Sequence, residues 1–335
     1  MVLKAEDRRQ LQLSELLNDD SFVVGPPSLL MSNKEIWDGK PWIVDFLTPI
    51  CQENYYRFPD DIHIQESSAM LEKIALLLGS HFIFAHDMQF ELRKKMYPDI
   101  VDEFSKKDFS VIPPVPANFS FSPKNNLYLI WGGGGWDWLD PKTFVEAVSI
   151  ADTKYKGVIF SDRYNGAFFR NAAMKGLSSE KVEINRFTAK KEYLEYVNNA
   201  LAWVSLHSKE SIEAPIAYRT RLLDAMICSK PVIVTQGEHL GDFIVENGGG
   251  WFVDHEDPEH LASIIEKLKL SEVNKRGLIS NSLLKKMKHQ GLKGSIVTGK
   301  PSVSKARELY SRLKKSRLIL NSFSWRFKSK ILGQR

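Results

Sequence analysis

Two stretches of this chain hold residues whose types and spacing suit phosphate chemistry. In the first, LYLIWGGGGWDWLDPKTFVEAVSIA, a β-type run meets four consecutive glycines, Gly132–Gly135, and a helix opens near Pro141. Glycines after a strand let the backbone approach a ligand closely, and free N–H groups where strand passes into helix favour an anion. The pattern is neither G-x-G-x-x-G nor a loop ending in GK[ST], so a tight turn packed under Trp136 and Trp138 is the plainer reading. In the second, SLHSKESIEAPIAYRTRLLDAMICSKPVIVT, a strand ending near Leu206 leads through a polar loop to a helix expected to open near Pro215. Unpaired N–H groups and the positive end of the helix dipole would then lie beside Glu213. On one helix Glu213 and Asp224 are about 1100° of rotation apart, within about 20° of a common face and ~16 Å along the axis. Acids so placed, with the small Ala217 and Thr220 between them, suit hydroxyls at the two ends of a bound anion. The plainer reading makes Glu213 a helix-entry charge and Asp224 a solvated helix residue. A third feature, His86-Asp87, follows the run HFIFA; it suits general base work or a helix cap.

The elements that position these residues read as parallel α/β units. Expected strands are 22–24, 42–46, 81–85 and 111–112, then 127–131, 156–160, 201–205, 231–235 and 250–253. A helix over 67–78 carries a wide apolar stripe and turns through Gly79 into HFIFA. Between Pro113 and Asn126 the segment PPVPANFSFSPKNN holds four prolines and no periodicity, which marks either an interdomain linker or a long loop. The expected domains are residues 1–118, 119–300 and a tail, 301–335. The first has about four strands, small or incomplete for a doubly wound domain.

Composition narrows the function classes. The 335 residues include two cysteines, Cys51 and Cys228, with no C-x-x-C, so neither a disulfide scaffold nor a zinc module has its ligands. A reducing, cytoplasmic compartment fits, and no apolar run approaches a membrane span. After Glu272 seventeen Lys/Arg face one acid, a net charge of +16, whereas the preceding residues carry −11. An acidic body argues against a nucleic-acid partner. From Tyr310 onward eight Lys/Arg and no acid are interspersed with Leu318, Ile319, Leu320, Phe323, Trp325, Phe327, Ile331 and Leu332. That mixture suits an anionic membrane surface, with a final helix packed back on the domains as the alternative.

Several of these motifs together resemble one family. LLDAMICSKPVIVT is similar to the "EAM-x-x-G-x-P-V" of GT-B glycosyltransferases in the large retaining group, and VENGGGWFVDHEDPEHLASIIEKL resembles the glycine loop, acids and helix that follow it. WGGGGWDWLDP and AYRTRLLD resemble "WGGG-x-x-DW-x-DP" and "AFRTR-x-LD" of a bacterial subfamily. VDFLTPICQEN is similar to its "FDLYDP…LEN", and NSFSWRFKSKIL to an ending common in surface-polysaccharide transferases. The resemblance implies an α/β, GT-B fold with two Rossmann-like parallel-sheet domains. It also implies transfer of a sugar from a nucleotide-diphosphate donor to a glycan or lipid-linked acceptor, with retention and no further cofactor. No D-x-D triplet occurs, which favours arginines and helix N–H groups over a metal.

On that resemblance Gly132, Gly133 and Gly134 approach the diphosphate, and Arg163, Arg219 and Arg221 carry its charge. Glu213 holds the donor sugar, Asp224 the ribose, and His86 and Asp87 are the base candidates on the acceptor side. The chain departs from the pattern in places. The usual E-x7-E would put its first acid at Ile216, Asp224 replaces the second Glu, Ser229 replaces a helix-ending Gly, and Thr48 replaces an Asp. A non-catalytic binding or scaffold protein of the same form is the rival from another class. A dinucleotide oxidoreductase has only half its glycine motif here.

Overall fold

The computed structural model describes residues 23–46, 49–113, 127–132, 138–161, 180–186, 190–287 and 303–315. The chain divides into two compact units: residues 9–113 with 291–335, and residues 114–290 with the first eight. In the first unit β1 (Val23–Gly25), β2 (Trp42–Asp45), β3 (His81–Phe84) and β4 (Phe109–Val111) form a parallel sheet in that order. Its helices are α1 (Lys34–Trp37), α2 (Ile50–Arg57), α3 (Ile62–Leu78), α4 (Met88–Met96) and α5 (Val101–Phe104).

The helix expected over 67–78 starts five residues earlier, because Asp61 accepts the Ile64 N–H and caps it there. Leu71 and Ile74 through Leu78 go into the core against Trp42, Val44, Phe82 and Phe84. The far end of α3 is closed by a side chain from a distant loop. Lys107 donates its Nζ protons to the carbonyls of Leu76, Leu77 and Gly79 at 2.9, 2.7 and 2.8 Å, the orphan acceptors of a helix C-terminus. Burial pulls the Lys107 ammonium down to about 8. Deeper in the same unit, Arg93 bonds Glu72 at 2.7 Å and lies over the rings of Phe46 and Phe84, and Tyr97 donates to the other Glu72 oxygen at 2.9 Å.

The second unit contains β5 (Tyr128–Trp131), α6 (Pro141–Ile150), β6 (Lys156–Ser161), β7 (Val182–Arg186), α7 (Lys190–Asn199) and β8 (Trp203–Ser205). It continues through α8 (Thr220–Ile227), β9 (Val232–Thr235), α9 (His239–Glu246), β10 (Gly250–Val253), α10 (Pro258–Glu266) and α11 (Leu270–Met287). All six strands are parallel, in the order β10-β9-β8-β5-β6-β7. Counted within this unit, that is the 3-2-1-4-5-6 order of a Rossmann sheet. Strand β7 was not expected: Val182 and Ile184 alternate with polar residues on an edge strand whose Ile184 is exposed. Asp140 caps α6 through the Thr143 N–H with Pro141 at the first helical position, as expected.

The last helix, α12 (Val303–Lys315), belongs to the first unit. Ala306 and Leu313 are fully buried in that unit's core, Tyr310 lies 4.5 Å from Trp37 ring to ring, and Lys305 pairs with Glu103 at 2.5 Å. The start of the basic tail is therefore a packed helix; residues 316–335, which carry most of the expected membrane-facing set, lie outside the described residues. No helix among the described residues is long and apolar enough to cross a membrane.

Candidate functional site

The strand order of the second unit reverses between β5 and β8, and in open α/β sheets ligands bind outside the strand C-termini at such a point. Both phosphate-suited stretches leave the sheet there. Gly132 donates its N–H to the Val204 carbonyl at 2.6 Å, Asp140 donates to Leu206 at 3.1 Å, and Leu139 bridges to His207. Gly133 and Gly134 lie outside the described residues, as does Arg163. Gly132 answers to packing: a Cβ there would overlap the indole ring of Trp203.

The loop after β8 differs from expectation. The helix opens at Thr220, five residues beyond Pro215, so Glu213 and Asp224 do not share a helix. Residues 211–217 instead close a turn: Ala214 donates to Ser211 Oγ, and Ile216 and Ala217 donate to the Glu213 carbonyl. Arg219 then lies outside the helical region at φ −74°, ψ 83°, as the residue preceding α8. That extension turns its guanidinium back on the loop, where it donates to Glu213 Oε2 at 2.8 Å. The two side chains are 10% and 7% exposed, so this is a buried ion pair and not a surface one. Arg219 Nε has no acceptor among the described residues.

Below Arg219 the ends of β8, β9 and β10 supply a second polar layer. The His207 backbone donates to Thr235 Oγ1 at 3.0 Å, His207 Nδ1 lies 2.8 Å from the same hydroxyl, and His207 Nε2 faces His255 Nε2 at 3.4 Å. Burial, then Arg219 and His255, pull the His207 imidazole down to about 3, so it is neutral. Glu238 is buried at the start of α9 and accepts from Leu240 N at 3.2 Å, Gly241 N at 2.7 Å and Arg219 N at 3.4 Å. Burial pushes its carboxyl up to about 7 against the pull of Arg219.

No protein-family model matches the chain, and no curated protein matches it in sequence. Solved structures do match over nearly its full length. Sucrose-phosphate synthase from Thermosynechococcus elongatus aligns at 13% identity and a TM-score of 0.59, over 92% of this chain and 77% of that one. Anabaena HepE, in complex with UDP and glucose, aligns at 13% identity and 0.58, over 91% and 81%. S. aureus TarM, a mutant bound to fondaparinux, α-GlcNAc-glycerol and UDP, aligns at 14% and 0.55 over 90% of this chain but 57% of its own. Two parallel sheets, the second in Rossmann order, carry this likeness.

The chain has the GT-B fold.

Within residues 114–290 of this GT-B chain, the structure brings Glu213 and Arg219 together beside the strands that flank Gly132. Arg221 and Asp224 sit at the start and middle of α8, and Asp224 is buried, not solvated. Both act on Tyr193 of α7, whose phenol is pushed well up by burial and then by Asp224, while Arg221 works the other way. His86 and Asp87 belong to the other unit. His86 is buried at the end of β3, and Asp87 caps α4 through the Met88 N–H at 2.8 Å, the cap role that the sequence left open. His207, Thr235, Glu238 and His255 were missed. Each stands within three residues of the C-terminal end of a strand, and reading the residues after β8, β9 and β10 as one group would have found them.

Proposed function

We propose that this chain is a glycosyltransferase that binds a nucleotide-diphosphate sugar at the strand-order reversal of residues 114–290 and passes the sugar to a glycan or lipid-linked hydroxyl. The observation that carries the proposal is the buried Glu213–Arg219 pair at that reversal, with no acceptor for Arg219 Nε–H among the described residues. A cation already fixed by a carboxylate pays little reorganisation when charge grows on a departing diphosphate, and in a water-poor site such preorganised charge is worth most. Glu213 orients Arg219 through one oxygen; Asp224 holds the ribose and Arg221 supports the diphosphate. UDP in the HepE and TarM complexes makes it the first nucleotide to test.

The transfer breaks the bond from the sugar anomeric carbon to the phosphate oxygen and forms one to the acceptor oxygen. In the retaining course the leaving phosphate oxygen takes the acceptor proton, so no separate base and no metal is needed. We place the reaction in surface-polysaccharide synthesis on the cytoplasmic face, with residues 316–335 on anionic lipid. Liposome flotation tests that last point: equal recovery of the full chain and of one ending at Lys315 removes it.

Thermal unfolding with UDP-, GDP- and TDP-sugars tests the donor reading, because a ligand of the folded state raises its melting temperature. One nucleotide should raise it, and Arg219→Ala should abolish the rise. If no nucleotide sugar shifts the parent protein, the non-catalytic scaffold reading replaces this one.

A further inference from the structure

We propose that Glu238 is a positioning residue for donor binding, one that ties Arg219 to the start of α9 and makes donor affinity depend on a proton. This rests on the donor reading above and names a residue and a regulation that it does not contain.

A helix cap is usually a short, solvated Ser, Thr, Asp or Asn. Glu238 is longer by a methylene than Asp and is 2% exposed. Its extra reach lets one carboxylate serve two elements: Oε2 takes the Gly241 N–H of α9, while Oε1 takes Leu240 N and, at 3.4 Å, the backbone N–H of Arg219 immediately before α8. The sequence makes room for this, since a Cβ at Gly241 would come within 2.8 Å of Glu238 Oε2. One buried group therefore joins the N-terminal ends of α8 and α9, and it does so at the residue whose guanidinium is held by Glu213.

The charges around it settle the direction of the coupling. Arg219 is the cation acting on Glu238. Glu213 neutralises Arg219 from the loop side, and His207, with His255 against it, is uncharged beside Arg219. On α9 itself Asp242 is turned to the Gly237 N–H, with His239 acting on it. With Glu238 protonated, Arg219 and Glu213 form a neutral pair whose Nε–H, without an acceptor among the described residues, is available to a diphosphate. With Glu238 ionised Arg219 faces two carboxylates, and a bound diphosphate is repelled. Burial places this change at about pH 7. Donor binding should thus take up a proton near neutrality.

The test is the affinity of the full chain for UDP-glucose, GDP-mannose and TDP-glucose by calorimetry from pH 5.5 to 8.5; their diphosphate diesters do not titrate in this range. For the sugar that binds, affinity should fall by up to about fivefold between pH 6 and 8, as expected when the ligand raises one linked pKa near 7 by up to about one unit. Glu238→Gln should flatten that profile. Glu238→Asp keeps the charge but loses reach, so it should keep a pH dependence and bind several-fold more weakly throughout; it also serves if the Gln variant does not fold. An unchanged profile in Glu238→Gln, or a flat profile in the parent protein, overturns the proposal while leaving the donor reading intact. Failure of every nucleotide sugar to bind the parent at any pH overturns both.

Discussion

Glu238 and His207 should give the protein two opposing pH dependences of stability that nearly cancel. Glu238 rises from 4.5 unfolded to about 7 folded, so between those values the folded chain holds the extra proton and stability falls as pH rises. His207 drops from 6.5 to about 3, so there the unfolded chain holds the extra proton and stability rises with pH. Integrating the linkage relation from pH 5 to pH 8 gives about −2.5 kcal/mol from Glu238 and about +2 kcal/mol from His207. The pair contributes almost no net slope. Removing either partner unmasks the other. Relative to the parent, Glu238→Gln should gain about 2.5 kcal/mol on going from pH 5 to 8, and His207→Asn should lose about 2 kcal/mol over the same range. Urea unfolding of the three proteins at pH 5, 6, 7 and 8 measures this, with midpoints converted through a common m-value. Exposed carboxylates and histidines act equally in all three and drop out of the differences. Three proteins with the same pH slope to within about 0.5 kcal/mol would refute the argument, because a shift of one pKa unit corresponds to about 1.4 kcal/mol.

Ser229 sits at φ 53° just after α8, where the family pattern has glycine; Ser229→Gly should stabilise the chain by about 1 kcal/mol in chemical denaturation. Lys107→Met keeps the length of the side chain but strands three buried carbonyls, so it should cost about 2–4 kcal/mol by the same measurement. In steady-state kinetics with the donor that binds, Asp224→Ala should mainly raise KM, by the equivalent of about 1.5–3 kcal/mol for charged hydrogen bonds to the ribose. Glu213→Gln should mainly lower kcat, because it weakens the orientation of Arg219 as charge develops on the leaving group.

What the sequence made legible follows from how local each signal is. Strands β2, β3, β5, β9 and β10 are short apolar runs bounded by turns, and a buried parallel strand has no other way to look. Asp140-Pro141 fixes a helix start within two residues, so α6 was found in place. The start of α8 was not, because Pro215 has the local form of a helix opening, while the true start goes with contacts of Arg219 to Glu213, six residues back, and to Glu238, nineteen residues on. The same holds for the paired acids: an unbroken helix would bring Glu213 and Asp224 to one face, but the turn before Thr220 breaks that spacing. The tail showed its charge plainly and its packing hardly at all, because Ala306, Tyr310 and Leu313 find their partners more than two hundred residues back.

That last packing has a bearing on the order in which the molecule is made. Residues 23–113 emerge from the ribosome first, yet the core they build includes Ala306 and Leu313. At about 5–20 residues per second, the stretch between them takes about 10–40 s to synthesise. Throughout that interval the earlier unit waits with the seat for α12 uncovered, including Trp37 and the apolar side of α3, while the later unit is made and, its last strand β10 ending at Val253, has all its strands before α12 appears. The second unit made is thus the first to finish. A chain released early, or cut after Met287, carries a complete Rossmann sheet beside a partner whose hydrophobic seat stays open to chaperones and proteases.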